Sequence, residues 1–165
     1  MRIVSWNIRA GGGRRALGIA AQLHRWAPDV VTLSEYRGTP PSQCLARNLA
    51  TAGFPHQLST SSAKWPIVNS LLVASSWPVR RLRLRGSPKD SRRWLLVDVL
   101  APIPFILGVM HVPNRVTGRK LSFLNALLDL ACSWRRGPAL FVGDTNSGRI
   151  GVDEGQMSSF GVKDV

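Results

Sequence analysis

Short β-favouring apolar segments, several of them separated by segments of helical spacing, limit this chain to a fold that mixes strands and helices. Strands are predicted at RIVSW, DVVTLSE, NSLLVAS (69–75), VRRLRLR (79–85), WLLVDVL, PFILGVMHV and residues 139–142. Helices are predicted over residues 14–26, 42–52 and 118–134. No repeat, low-complexity tract or linker divides the 165 residues, so we expect one domain over residues 1–165.

Four of the predicted strands end at a polar residue that is capable of chemistry. The first ends at Asn7, the second at Glu35, a later one at His111, and the last at Asp144 and Asn146. For an isolated Asp-x-Asn segment, a turn in which both side chains bond to their own backbone is the more common structure. Because strand ends converge in α/β architectures and a rigid sheet fixes short polar side chains, the recurrence predicts a shared site.

The chain is strongly basic. Its 22 Lys and Arg residues against 9 Asp and Glu give a net charge of +13. Such a charge favours polyanions, namely nucleic acid, an anionic membrane or a phosphorylated small molecule, although an Arg-rich composition alone also makes a basic surface. In VRRLRLR, the alternation places Arg81, Arg83 and Arg85 on one face of a strand and Leu82 and Leu84 on the other. These three arginines, called the arginine stripe below, are predicted to bind phosphates without sequence preference.

The sequence contains no feature typical of export or membrane insertion. The N-terminal segment turns polar by Asn7 and has no apolar stretch of signal-peptide length. The longest apolar run, LLVDVLAPIPFILGVM, contains Asp98 and two prolines. Cys44 and Cys132 match no metal-ligand spacing and are expected to be free, partly buried thiols in a reducing compartment. We therefore expect a cytoplasmic protein with no membrane span, and no obligate protein partner is implied.

Five motifs, SWNIR, PDVVTLSE, NSLLVASSWPV, GVMHVPN and VGDTNSG, occur in the order and approximate spacing of the endonuclease/exonuclease/phosphatase family. The sequence resembles this family from its first residue to about Gly148. The family includes pancreatic-type deoxyribonucleases, apurinic/apyrimidinic endonucleases, inositol polyphosphate phosphatases and sphingomyelinases. The resemblance implies an α/β fold of two packed mixed β-sheets flanked by helices, a four-layer α/β sandwich. Residues 1–165 resemble its N-terminal two-thirds, so the fold is expected to be incomplete at the C-terminus.

The resemblance also implies a role for each polar residue at the strand ends. Glu35 is similar to the family's Mg²⁺ carboxylate, with Mn²⁺ as an alternative ion, and Asn7 to the amide that supports the metal and the scissile phosphate. Asp144 is similar to the residue that orients or deprotonates the attacking water, and Asn146 to the amide beside it. His111 stands where deoxyribonuclease-like members place a phosphate-contacting histidine. One or two carboxylates suffice for a hard cation that keeps its waters.

Three departures from the family pattern bear on these roles. Arg9 stands where some members carry an acidic metal ligand, and we expect it to face the phosphate. No carboxylate lies between Glu35 and Asp90, so His111 is expected to lack the acid that often partners this position. No histidine follows His111, whereas the family ends in an Asp-His pair whose histidine stabilises the transition state.

Two further segments carry minor expectations. Of the chain's three histidines, His24 lies in a predicted helix and His56 in a predicted loop, and both are expected to be structural or solvated. The final GVKDV (161–165) resembles a segment that leads into further strands in relatives.

Three functions remain open on this evidence. The leading hypothesis is a Mg²⁺-dependent phosphoester hydrolase, a nuclease or phosphodiesterase that acts on nucleic acid through a metal-activated water. The second is a non-catalytic basic module that binds nucleic acid or a protein partner and has an incomplete family site. The third is a phosphatase of inositol phosphates or lipids. Without the terminal histidine, we expect the 165-residue chain to be weakly active or inactive.

Overall fold

A computed structural model describes residues 1–114 and 118–147, and this part of the chain contains eight strands and three α-helices. The strands are β1 (Ile3–Asn7), β2 (Val30–Tyr36), β3 (His56–Ser59), β4 (Ser70–Ser75), β5 (Val79–Leu82), β6 (Trp94–Val99), β7 (Phe105–His111) and β8 (Ala139–Asp144). The helices are α1 (Ala16–Trp26), α2 (Pro40–Thr51) and α3 (Gly118–Cys132). The GVKDV segment lies outside the described residues.

The strands form two mixed four-stranded sheets. In the first sheet, with the order β1-β2-β4-β3, β1 and β2 are parallel, and β4 runs antiparallel to both of its neighbours. In the second, with the order β5-β6-β7-β8, β7 and β8 are parallel, and β6 runs antiparallel to both of its neighbours. Each parallel pair therefore brings two carboxyl strand ends to one edge of its sheet.

The helices and sheets stack in four layers. Neighbouring residues of β2 face opposite ways, as the two-residue period of a strand requires: Val31 faces α1 and α2, and Val30 faces the second sheet. Leu23 and Leu45 cover the first sheet from the helix side, and Phe123 of α3 covers the second. Between the sheets lie the buried side chains of Val30, Leu71, Val73, Leu95, Val97 and Leu107. The predicted sandwich of two mixed sheets flanked by helices is confirmed.

Three local features differ from the predictions. The strand predicted over 79–85 ends at Leu82, because the chain turns at Arg85 and Gly86, and Ser87 N donates to Leu84 O. His56 begins the short strand β3, which the sequence, with only Leu58 directed into the core, does not reveal. Helix α2 begins at Pro40, two residues before the prediction, because proline suits the first turn of a helix, where its missing N–H has no partner to lose.

Gly143 of β8 leaves no room for a side chain beside β7. The φ angle of Gly143 is 141°, a conformation that residues with a side chain rarely adopt. A Cβ atom added there would lie 1.9 Å from the Met110 carbonyl oxygen. The next residue is Asp144, so this close backbone contact fixes the position of the carboxylate that follows it.

Within the described part of the chain, no helix is both long and apolar enough to cross a bilayer.

Candidate active site

The carboxyl ends of β1, β2, β7 and β8 meet where the two sheets face each other. Asn7 ends β1, and its amide Nδ2 donates to Oδ2 of Asp144, at the end of β8, over 2.6 Å. The same Nδ2 lies 3.2 Å from Oε1 of Glu35 on β2. His111 ends β7 and stands beside Asp144 in the parallel ladder. The structure thus brings together the polar strand ends that the sequence singles out.

Asn7 is the link between the two carboxylates. Its Oδ1 accepts a hydrogen bond of 2.9 Å from the backbone N–H of Arg9, so Nδ2 is the atom that faces Glu35 and Asp144. An NH₂ group cannot ligate a cation, because its hydrogens point toward the acceptor. In this arrangement Asn7 orients the carboxylates of Glu35 and Asp144, and the metal ligation expected of Asn7 would require its amide to rotate.

Glu35 occupies a β-bulge. The pairing of β2 with β4 shifts between Ser34 and Tyr36, which leaves Glu35 outside the ladder with a φ of 57°. Such a bulge redirects one side chain without ending the strand. As a result the Glu35 carboxylate points at the site: Oε1 faces Asn7, and Oε2 accepts a hydrogen bond of 2.7 Å from the N–H of Ala10.

Asp144 and Asn146 do form the turn that such a pair commonly makes. Oδ1 of Asp144 accepts the Asn146 N–H over 2.8 Å, while Oδ2 faces Asn7. Asn146 is buried with a φ of 47°, and its Nδ2 donates to Val112 O over 2.6 Å. Its own carbonyl accepts a hydrogen bond of 2.6 Å from the buried Nζ of Lys120. The local turn therefore orients Asp144 for the site rather than competing with it.

His111 is buried and lies close to the two carboxylates of the site, neither of which is within hydrogen-bond distance of its ring. Its Nε2 is 3.9 Å from Oδ2 of Asp144 and 4.0 Å from Oε1 of Glu35. No carboxylate lies between Glu35 and Asp90 in the sequence, but the ends of β2 and β8 supply both acids. The sheet topology therefore brings His111 close to acids that are far from it in the sequence.

Arg93 contacts the other side of the His111 ring. Its Nη1 lies 3.4 Å from Nδ1 of His111 and also donates to the His111 carbonyl, while Asp90 pairs with its Nε at 3.7 Å. Burial, and then the Arg93 charge, lower the pKa of His111 below its usual value of 6.5, and the carboxylates of Asp144 and Glu35 oppose this only in part. Because a guanidinium only donates, Nδ1 is the acceptor, and the neutral ring carries its proton on Nε2.

These side chains surround a cavity of about 700 Å³, called the candidate cavity below. Arg9 lines it, together with Arg93, one of two arginines that follow the arginine stripe in the sequence, and with five residues to which the sequence assigns no role: Trp6, Arg15, Asn69, Asn114 and Ser147. Asn69 and Arg93 immediately precede β4 and β6, which run antiparallel to their neighbours. A strand that runs antiparallel to its neighbours begins at the end of the sheet where those neighbours finish. Polar residues at the beginnings of β4 and β6 therefore reach the same site as those at the ends of β2 and β7.

The arginine stripe does not line the candidate cavity. Arg81 belongs to β5, at the opposite edge of the second sheet from β8, and donates to Ser59 O. Arg83 and Arg85 are exposed beyond the end of β5, while Leu82 and Leu84 pack against the core under α3. The arginines of the stripe are exposed and the two leucines between them face inward, as predicted, but the stripe does not line the cavity that contains Asp144.

The donor set suits a hard divalent cation. In residues 1–114 and 118–147, no three His, Cys, Asp or Glu side chains form a ligand cluster of the kind that encloses a metal with protein atoms alone. Two carboxylates, Glu35 and Asp144, instead face one amide across an open cavity. This arrangement fits Mg²⁺, which binds through one or two carboxylates and completes its shell with waters and substrate oxygens.

Comparison with known proteins identifies related folds. The sequence profile of the endonuclease/exonuclease/phosphatase family matches residues 4–153. No curated protein is significantly similar in sequence. The structure of the endonuclease/exonuclease/phosphatase from Beutenbergia cavernae DSM 12333 is 22% identical with a TM-score of 0.64, over 88% of this chain and 47% of that one.

Two further solved structures have the same fold. D. rerio TDP2, complexed with single strand DNA product, is 20% identical with a TM-score of 0.69, over 90% of this chain and 62% of that one. Sphingomyelinase C from Streptomyces griseocarneus is 17% identical with a TM-score of 0.64, over 89% of this chain and 64% of that one. This chain thus spans between 47% and 64% of the length of the three structures, and at these identities the likeness concerns the fold alone.

Proposed function

Because this chain belongs to the endonuclease/exonuclease/phosphatase family, we propose that its candidate cavity hydrolyses phosphoesters with bound Mg²⁺, or Mn²⁺ in its place, and that the substrate is nucleic acid. One observation carries the proposal. The Asn7 amide lies within hydrogen-bond distance of two carboxylates from different sheets, Glu35 and Asp144. Two like charges held beside one donor are costly without a cation, so the pair fits a metal-dependent site.

Each residue of the cavity has a distinct task in this proposal. Glu35 holds the cation, which would stabilise negative charge on the phosphate oxygens. Asp144 accepts the proton of the attacking water as the new O–P bond forms and the ester bond breaks, and the leaving oxygen takes a proton from solvent. Asn7 and the Asn146 N–H each fix one oxygen of Asp144, so the carboxylate is oriented before substrate arrives.

Cationic and neutral donors face the phosphate. The Nε2–H of His111 can donate to a phosphoryl oxygen without carrying charge, and Arg9 and Arg93 supply positive charge at the wall of the candidate cavity. Donors aimed in advance at developing negative charge lower the barrier of such reactions. This arrangement favours a reaction in which negative charge builds up on the phosphoryl oxygens.

Nucleic acid is favoured as substrate by the net charge of +13. TDP2 of D. rerio, which shares the fold, is described in a complex with single strand DNA product. For the compartment we propose the cytoplasm, since Cys44 and Cys132 are free thiols, and Cys132 is exposed rather than partly buried as expected.

The test is an assay of the purified chain with Mg²⁺, with Mn²⁺ and with EDTA. Substrates are single-stranded DNA, duplex DNA, an abasic-site duplex and a phosphoinositide. Since no histidine follows His111, we expect weak but metal-dependent cleavage of DNA, which is lost in Glu35→Gln and Asp144→Asn. Asp129→Asn, an exposed carboxylate on α3, is the matched control and retains activity.

Three outcomes would contradict the proposal. Faster hydrolysis of the phosphoinositide would identify a phosphatase of inositol phosphates or lipids. Metal-independent DNA binding without cleavage would identify a binding module. Equal activity of the Glu35→Gln and Asp129→Asn variants would remove Glu35 from the site.

A further inference from the structure

A second groove, of about 1310 Å³, lies beside the candidate cavity. Among the residues that the structure describes, four basic side chains line it, Lys89, Arg92, Arg93 and Arg119, and we call it the basic groove. Arg93 and Asn114 line both the basic groove and the candidate cavity. A ligand that fills the cavity therefore has a direct continuation into the groove.

The walls of the basic groove come from two parts of the chain. One wall is formed by residues 86–93, which follow the arginine stripe and lead into β6, and it carries Lys89, Arg92 and Arg93. The other is the first turn of α3, which carries Arg119. Phe123 of the same helix is buried in the core below and anchors that wall. Both walls are thus attached to the second sheet, the sheet that provides His111 and Asp144.

The charge of the basic groove is only partly compensated. Among the described residues that line it, Asp90 is the one acid, and its carboxylate lies 3.6 Å from Nε of Arg92 and 3.7 Å from Nε of Arg93. A single carboxylate neutralises at most one of two guanidiniums. Arg92, Lys89 and Arg119 are exposed, so their heads are available to a ligand.

We propose that the basic groove binds the phosphodiester chain beyond the scissile phosphate, so that the substrate is an oligonucleotide spanning several phosphates rather than an isolated phosphoester. This rests on the proposed function, since it assigns the substrate class of the same site. A single phosphate is already matched by Arg9, His111 and Arg93 in the candidate cavity. The groove adds three more cationic side chains, Lys89, Arg92 and Arg119, and a single phosphate does not extend to them. A ligand that pairs with all of them must carry further negative charges beyond that phosphate.

The basic groove, and not the arginine stripe, is assigned this task because of position. The stripe begins on β5, at the far edge of the second sheet, and none of its members lines either cavity. The groove shares two lining residues with the cavity that holds Asp144. A strand whose scissile phosphate lies beside Asp144 passes Arg93 first and then reaches Arg92 and Arg119.

The experiment measures binding without turnover. Fluorescence anisotropy in EDTA follows labelled single-stranded DNA of increasing length, duplex DNA and a mononucleotide. The groove variant is Arg92→Gln with Arg119→Gln, and the matched control is Arg83→Gln with Arg85→Gln. All four residues are exposed, and thermal melting checks that both variants fold. Arg93 is left intact because it contacts His111.

We expect the groove variant to bind the longer oligonucleotides at least several-fold more weakly than wild type, with mononucleotide binding unchanged. Its salt slope should fall by about 0.7 for each phosphate of a single strand that the groove no longer binds, or by about 0.9 for each phosphate of duplex DNA. The larger decrease in affinity, for single strands or for duplex, identifies the form that the groove holds. The Arg83→Gln, Arg85→Gln control retains wild-type affinity and slope.

Several results would overturn the assignment. Unchanged oligonucleotide affinity in the groove variant is one, and an equal decrease in the control variant is another. Tighter, groove-dependent binding to phosphatidylserine vesicles than to DNA would identify a membrane surface as the ligand instead. Hydrolysis of bis-p-nitrophenyl phosphate with Mg²⁺ is measured in parallel. Its loss in Glu35→Gln tests the proposed function separately, since that small diester does not reach the groove.

Discussion

Asn7 of the first sheet donates to Asp144 of the second across 2.6 Å, although the two residues are 137 positions apart in the chain. With the contact to Glu35, one amide thus holds both candidate catalytic carboxylates and joins the two sheets at the site. Asn7→Ala leaves the carboxylates without this donor. We expect a loss of about 1–3 kcal/mol in the free energy of unfolding, measured by urea denaturation.

The matched control for that variant is Asn48→Ala, because Asn48 lies on α2 and its side chain contacts only its own helix. If both variants lose the same stability, the link between the sheets contributes nothing. In the Mg²⁺-dependent DNA assay, we expect a loss of roughly 10²–10³ in rate for Asn7→Ala, the range found when one preorganised donor is removed.

The carboxylate of Glu35 is expected to carry metal affinity. Mg²⁺ or Mn²⁺ should raise the melting temperature of the wild-type chain, because a ligand that binds only the folded state stabilises it. The Glu35→Gln variant should show no such rise. Asp129→Asn is the control and should behave as wild type, and an equal rise in Glu35→Gln would exclude Glu35 as a ligand.

His111 is expected to titrate below its ordinary pKa of 6.5, since burial and Arg93 both disfavour the charged ring. NMR titration of the His111 ring in EDTA measures this directly. Arg93→Gln should raise the pKa, because a neighbouring positive charge is removed, while Arg83→Gln should leave it unchanged. A pKa that does not respond to Arg93→Gln would show that burial alone sets it.

The same shift has a consequence for stability. A depressed pKa means that the unfolded chain binds a proton more readily than the folded one as the pH falls through 6.5. The contribution of His111 to stability is therefore present above that pH and lost toward the lower folded-state pKa. His111→Gln should flatten the dependence of the urea midpoint on pH in this window, and an unchanged dependence would contradict the assignment.

Lys120 is buried, and its Nζ donates to the carbonyl of Asn146. Lys120→Met keeps the length of the side chain but removes the donor, so a buried carbonyl loses its partner. We expect a destabilisation of about 1–3 kcal/mol and faster hydrogen exchange at the Asn146 amide, which holds Oδ1 of Asp144. Lys64→Met, at an exposed position, is the control. Unchanged exchange in Lys120→Met would mean that the loop is held by Val112 alone.

Local patterns predicted most of the fold correctly. The apolar runs and helical spacings indicate the strands and helices, because the residues that pack into the core recur with the period of the element that carries them. The sequence does not predict strand β3, because HQLS has no apolar alternation. It also does not predict where β5 ends, because a turn at Gly86 sets that end. Both features depend on pairing with neighbouring strands and not on the local sequence.

The site shows the same division. The sequence predicts that Asn7, Glu35, His111 and Asp144 lie close together, because each stands at the end of a strand that its apolar residues indicate. The sequence does not place Asn69 and Arg93 at the site, because they precede strands, and only the antiparallel pairing of β4 and β6 brings those strand beginnings to the same end of the sheets. Likewise, the alternation in VRRLRLR predicts that the arginine stripe is exposed. It does not predict that β5 is the outermost strand on the side of the sheet away from β8.

The close approach of β8 to β7 at Gly143 restricts how this site can evolve. Since even one carbon atom at that position would collide with the Met110 carbonyl, a side chain there would have to displace β8 or change its backbone angles, and Asp144 is the next residue. Thr145, one residue beyond Asp144, is exposed and free to vary. The structure thus leaves room for a different side chain at Thr145, directly after Asp144, but not at Gly143, directly before it.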